Sequence, residues 1–285
     1  ACFDMACDRP VAGSPKQVAV TYSAKAANPS ATLLLSDRGV AFASVPSASQ
    51  LSRSLIVRDS SGAASDWTAN SNAAWLSATK SGTSGGSLNL VANPSGLSNG
   101  FHMATVTVTS SNPSISTAES VRVGLYISDT ASASTLSAPT WNLHESIADT
   151  TYAVDPIRPL IYSTQGSTIA AHHVHSGERV TTVNVEGADL GGVAVNDDGS
   201  RLYALNYFNG TVVVVDLDKM SVLHSYGFPQ LLMMGEELKN KRIAYARVHG
   251  QPVLLMSFAR QPFGDTDRVI SPLIKADTGE LIGAL

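Results

Sequence analysis

The chain has 285 residues, with 19 Lys and Arg against 23 Asp and Glu, a formal net charge of -4, and only 15% charged residues. That length provides for one or two domains, each with a core of its own. Because Lys and Arg form no cluster, there is no electrostatic footprint for nucleic acid or anionic lipid, and no apolar run reaches the roughly 18 residues of a membrane span.

Ser, Thr, Ala, Gly and Val dominate what remains, the palette of an all-β protein of secreted type. It predicts an extracytoplasmic location: periplasm, cell surface or secreted. Both cysteines, Cys2 and Cys7, fall in the first ten residues, where a short-loop disulfide is one reading and lipid attachment at Cys2, against which the preceding Ala1 counts, is the weaker one.

In chain order, Val18-Ala-Val-Thr-Tyr22 precedes a small-residue tract ending at Thr32-Leu33, and Val121-Arg-Val-Gly-Leu125 precedes another ending at Thr135-Leu136. The offset of about 103 residues is the size of an immunoglobulin-like sandwich. Each Val-x-Val strand is therefore expected to close a sandwich. Residues 1–28 are expected to be the tail of a preceding sandwich with its linker, 29–130 a sandwich of their own, and 131–140 a second linker. Within the sandwich, Ser54–Val57, Leu88–Val91, Thr105–Thr109 and Val121–Val123 alternate with period 2 between Gly, Asn, Pro and Ser punctuation, as short strands do.

Trp67-Thr-Ala, Trp75-Leu-Ser, Ser81-Gly-Thr, Pro94-Ser-Gly-Leu97, Gly100-Phe-His and Thr105-Val-Thr-Val follow in that order. In them the segment of about residues 30–128 resembles the BACON domain. The resemblance implies an immunoglobulin-like sandwich of seven or eight strands, used in tandem in secreted bacterial proteins. It also implies a polysaccharide or glycoprotein partner. Phe101, His102 and Met103 depart from the family's usual run.

Beyond Thr135 the period shortens. Ala153-Val-Asp-Pro-Ile-Arg-Pro-Leu-Ile-Tyr162 and Ala194-Val-Asn-Asp-Asp-Gly-Ser-Arg-Leu-Tyr203 lie about 41 residues apart, and a looser copy starts at Arg247. That is a propeller-blade period. His173–Val180, Asp216–Val222 and Lys275–Ile282 repeat one turn into an outer strand. Asn196–Asn206, continuing through Asn209-Gly-Thr-Val-Val-Val-Val-Asp216, resembles the YVTN repeat of bacterial β-propellers. The expected architecture is thus all-β: an immunoglobulin-like sandwich followed by an incomplete propeller of about three blades, residues 141–285. Three blades cannot close a ring, so the chain is expected to be cut from a longer protein. The sandwich is expected to fold alone, and the open arc to be poorly soluble.

Chemistry is sparse. Gly82-Thr-Ser-Gly-Gly86 fits the G-x-S-x-G string of serine hydrolases, but a strand pattern follows where a nucleophile elbow needs a helix, so a hairpin is expected. His173 and His175 have the spacing to share a metal, yet no third ligand is visible and the equivalent blade positions form a polar turn. Asp197-Asp198-Gly199 reads as a hairpin turn rather than a calcium loop, and Asp265 and Asp267 have no visible partners. Asn209-Gly-Thr211 reads as a turn before it reads as a glycosylation sequon. No catalytic residue, metal or cofactor is assigned.

Trp67, Trp75 and Phe101 are the candidate ligand residues, since an aromatic face stacks on a pyranose. The same pattern places the tryptophans in the sandwich core. The favoured function is a non-catalytic binding or scaffolding segment, with glycan on the sandwich and protein or ligand on the propeller. The alternatives are the non-catalytic part of a propeller enzyme (lyase, hydrolase or oxidoreductase) and the stalk of a surface adhesin.

Overall fold

A computed structural model describes residues 31–45, 49–128, 151–206, 209–227, 238–248, 250–260, 268–270 and 272–284. Cys2, Cys7, the Val18–Tyr22 strand, the 131–140 linker, Asp265 and Asp267 lie outside the described residues. Every regular element among the described residues is a β-strand, and no helix is long and apolar enough to cross a membrane.

Nine strands make a sandwich of two sheets. One sheet runs β1 (Leu33–Leu35), β3 (Leu51–Asp59), β7 (Ser87–Ala92), β5 (Leu76–Ala78). The other runs β2 (Gly39–Ser44), β9 (Glu119–Ile127), β8 (Gly100–Ser110), β4 (Asp66–Ser71), β6 (Ser81–Thr83). All pairings are antiparallel except that of β2 with β9. The alternation seen in the sequence is the inside and outside of each sheet. Leu88, Leu90 and Ala92 of β7 and Ala104, Val106 and Val108 of β8 are buried, and they share one core with Leu55, Val57, Val121 and Val123.

Three antiparallel meanders follow, each of four strands in chain order. The first is β10 (Tyr152–Val154), β11 (Leu160–Gln165), β12 (Thr168–His173), β13 (Arg179–Asn184). The second is β14 (Leu190–Val195), β15 (Arg201–Asn206), β16 (Thr211–Asp216), β17 (Ser221–Gly227). The third is β18 (Leu238–Val248), β19 (Gln251–Arg260), β21 (Pro272–Lys275), β22 (Leu281–Ala284), with β20 (Arg268–Ile270) also pairing β19. The first strands are neighbours, β10 beside β14 and β14 beside β18. This is an arc of propeller blades with the first strand of each innermost.

The blades share their cores. Tyr162, Ile169 and Ala171 of the first blade pack with Val193, Leu202, Ala204, Val213 and Val215 of the second. The other face of the second blade, with Tyr203, Leu205, Val212 and Val214, packs on Ile243, Leu254, Met256 and Ile274 of the third. A sheet covered on both sides needs no polar face, so the middle strands read as apolar runs such as Val212–Val215. Asn209-Gly210 forms the turn into β16, with Gly210 at φ 61°. Gly82–Gly86 supplies the end of β6 and the turn into β7, with Gly85 at φ 90°.

Candidate functional site

Sandwich and blades belong to one compact unit, Ala31–Leu285. In a meander, alternate turns lie at one end of the sheet. The turns β10–β11, β12–β13, β14–β15, β16–β17 and β18–β19 thus share a rim of the arc. The sandwich is seated on that rim through strands β2 and β9.

Two glycines let its backbone approach. A Cβ at Gly124, on β9, would collide with the carbonyl oxygen of Ile157 in the first blade. One at Gly39, on β2, would lie 2.6 Å from the Asp197 carbonyl oxygen and 2.9 Å from Pro156 Cβ. An isolated glycine inside a strand is the sequence sign of such an approach, and it is the one signal by which this seat was legible.

Charges from both sides surround the glycines. Arg122 of β9 donates from Nη2 to Asp218 Oδ1 in the second blade at 2.5 Å, and Arg158 of the first blade donates to the same oxygen. Arg158 is fixed in turn by Asp155 Oδ2 at 2.9 Å. Asp155 is buried, yet its carboxylate also accepts the backbone N–H groups of Ile157 and Arg158 and the Tyr162 hydroxyl at 2.6 Å. Burial, followed by the charge of Asp155, raises the Tyr162 pKa well above the ordinary phenol value. One fully bonded carboxylate thereby anchors the turn that carries Arg158.

On the other flank, Arg247 Nε donates to Asp197 Oδ2 at 2.6 Å, and the Tyr245 hydroxyl donates to Asp197 Oδ1 at 3.0 Å. Arg38, just before β2, and Glu119, at the start of the neighbouring β9, pair at 3.0 Å. Burial pushes Glu119 above the usual carboxylate range, against the fields of Arg38 and Arg247. Asp197 and Asp198 thus spend their oxygens on Arg247, Tyr245 and the Ser200 N–H in a hairpin turn.

The third contact is aromatic. Tyr126 of β9 meets His173 edge-on with centroids 5.0 Å apart and stacks on His175 at 5.8 Å, while the two imidazoles are 5.4 Å from each other. The strand ends at His173, and His175 lies in the turn beyond it. His173 Nδ1 faces the His175 backbone N–H at 3.4 Å, and its Nε2 is buried without a hydrogen-bond partner among the described residues. Desolvation, followed by the His175 charge, lowers the His173 pKa below its usual 6.5. No group of three metal-ligating side chains occurs among the described residues.

The predicted ligand residues are not brought together. Trp67 is 1% exposed, its indole lying over Gly82, where a Cβ would stand 2.5 Å from the ring. Trp75 is partly buried against the same core, and Phe101 is 38% exposed. Trp67 pairs with Ser110 at one end of β8 while Phe101 lies at the other, roughly 30 Å away along an extended strand. Trp67 therefore shares no site with Phe101.

Trp67 itself lines an open cleft of about 560 Å³, together with Asp66, Thr68, Ser81, Thr83 and Thr109. Its wall is hydroxyl-rich and held in place by its own bonds. Thr83 donates to Asp66 Oδ1 at 2.9 Å, and the Thr68 and Thr109 hydroxyls bond each other at 3.0 Å. Strand β4 pairs with β6 on one side and with β8 on the other, which brings these hydroxyls from distant parts of the chain together.

No protein-family model matches the chain, and no curated protein does. Among solved structures, the chain is similar to the Bacteroides ovatus GH5 xyloglucanase in complex with a XXXG heptasaccharide, at 15% identity and TM-score 0.28, over 34% of this chain and 19% of that one. It is similar also to U3-55K, at 14% identity and TM-score 0.35, over 48% and 39%. A third is the Dos1 propeller, at 15% identity and TM-score 0.34, over 44% and 32%. The matched regions span less than half of each of these proteins. The blade architecture rests on the strand order and the shared cores described above.

Proposed function

We propose that this chain is a non-catalytic binding and scaffolding segment that holds a sandwich at a fixed orientation on a propeller arc. The observation that carries the reading is the seat: two glycines at close backbone approach, and an aspartate of the second blade shared by arginines from the sandwich and the first blade. A tethered spacer has no use for such a contact, whereas a scaffold that presents surfaces in register does.

A BACON-type identity for the sandwich and a YVTN type for the blades belong to this reading, supported by the ordered motifs from Trp67 to Thr105 and from Asn196 to Asp216. An extracytoplasmic location belongs to it too, supported by the low charge and Ser/Thr-rich composition. So does a polysaccharide or mucin-type ligand. On the sandwich, its place is the Asp66–Thr83–Thr109 cleft, where fixed hydroxyls and a carboxylate suit a neutral polyol. Phe101 and the partly buried Trp75 are the aromatic surfaces left for a longer chain.

A polysaccharide and mucin array tests this with the full chain, Asp66→Ala, Thr83→Ala and Phe101→Ala, each checked for a wild-type melt. Binding lost in the cleft variants supports the glycan reading. Binding by the full chain that all three variants retain moves the glycan away from this cleft and from Phe101, and no binding at all removes the glycan ligand and leaves the scaffold.

A further inference from the structure

The aromatic corner of the seat is built differently from its charged flank. The flank joins two guanidiniums to one carboxylate, whereas the corner rests on two imidazoles in mutual contact and against one phenol. The groups that face His173 are Tyr126 from β9 and His175 and Glu178 from its own turn; across from it on β11 stands the apolar Leu160.

The bonding fits a neutral ring. The His175 backbone N–H points at Nδ1, which a proton there would turn from acceptor into a second donor facing a donor. At the other nitrogen, the enclosed Nε2 has no acceptor among the described residues to offset a positive charge. A cation on the adjacent His175, whose ring lies 5.4 Å away, adds like-charge repulsion.

We propose that the Tyr126–His173–His175 corner is an acid-sensitive latch, which holds the sandwich on the first blade while the imidazoles are neutral and loosens when they are protonated. The sign is fixed by the direction of the shift: a His173 held below 6.5 contributes stability that is complete above that pH and is lost as pH falls below it. Glu119 works in the opposite direction, since a carboxyl with a raised pKa favours the folded seat as acid protonates it. A variant that lacks the imidazoles and keeps Glu119 therefore separates the two responses. This inference concerns the joint alone and is independent of any ligand.

Hydrogen exchange of the full chain at pH 7.5 and 5.0, corrected for intrinsic rates, tests it in wild type and in a His173→Asn/His175→Asn double variant. The expected result is a loss of protection of tenfold or more at pH 5.0 in peptides covering Phe101–Ile127 and Leu160–Asn184, with β3 and β7 unchanged and the double variant insensitive to pH. Wild-type protection that is equal at both pH values, or a loss the double variant shares, overturns the latch. Should the double variant not fold, imidazole NMR titration of the wild type decides: His173 titrating below 6.5 supports the latch, and His173 at or above 6.5 contradicts it.

Discussion

The sandwich and the blades solve the burial problem in opposite ways. Each sandwich sheet has one wet face and one dry face, so β7 and β8 alternate buried and exposed residues, and the nine strands close over a core of their own. The second blade has two dry faces, so β14, β15 and β16 are buried almost throughout, and neither of its cores is complete without a neighbour. The difference teaches where each core is drawn from: the sandwich core comes from its own nine strands, while both cores of the second blade are shared with a neighbouring blade.

The sharpest way to break the comparison is in the two kinds of core. Trp67→Ala removes the largest fully buried side chain of the sandwich and is expected to cost about 3–5 kcal/mol by denaturant titration. Leu254→Ala empties a position between the second and third blades and is expected to cost about 2–5 kcal/mol. Its effect should reach both blades, with hydrogen-exchange protection falling in β15 and β16 as well as in β19. Loss confined to β19 would mean the blades are independent.

The seat comes next. Gly124→Val places a branched side chain against the Ile157 carbonyl and is expected to cost about 1–3 kcal/mol while leaving the sandwich core intact by near-ultraviolet circular dichroism. Asp218→Asn leaves two guanidiniums without their shared anion. Because the Asp218 side chain is 43% exposed, the expected loss is only about 1 kcal/mol, and it should shrink in high salt.

The smallest effect separates the modules by pH. Hydrogen bonds from the Ser61 and Ser65 hydroxyls and the Ser61 N–H hold Asp59, in the sandwich, below its usual 3.8. Its contribution is present above that value and lost as pH falls below it. Acid melts of wild type and Asp59→Asn should converge below pH 3.

How much of this was legible follows from the same contrast. Period 2 located β3, β7, β8 and β9, because one face of each sheet is wet. The 41-residue offset between Ala153 and Ala194 located the first two blades, because the Asp155 and Asn196 turns recur wherever an inner hairpin must close. The seat was hidden. Arg122 and Asp218 are 96 positions apart and look like ordinary surface charges, and Gly39 and Gly124 give only the weak hint of glycine inside a strand. The sequence left Trp67 between a core and a ligand role for a related reason: a large aromatic on a strand reads the same whether its face is wet or dry, and its burial over Gly82 of the paired strand is visible only in the fold. In the Asp66–Thr109 cleft only Trp67 stood out in the sequence, because the serines and threonines around it look like any strand surface.

Calorimetry of the full chain and its Gly124→Val variant tests the seat most directly. The account predicts one cooperative transition for the sandwich and blades together in the wild type, divided into two in Gly124→Val with the blade transition moved to lower temperature. Two separate transitions in the wild type, with the blade transition unmoved by Gly124→Val, would contradict it.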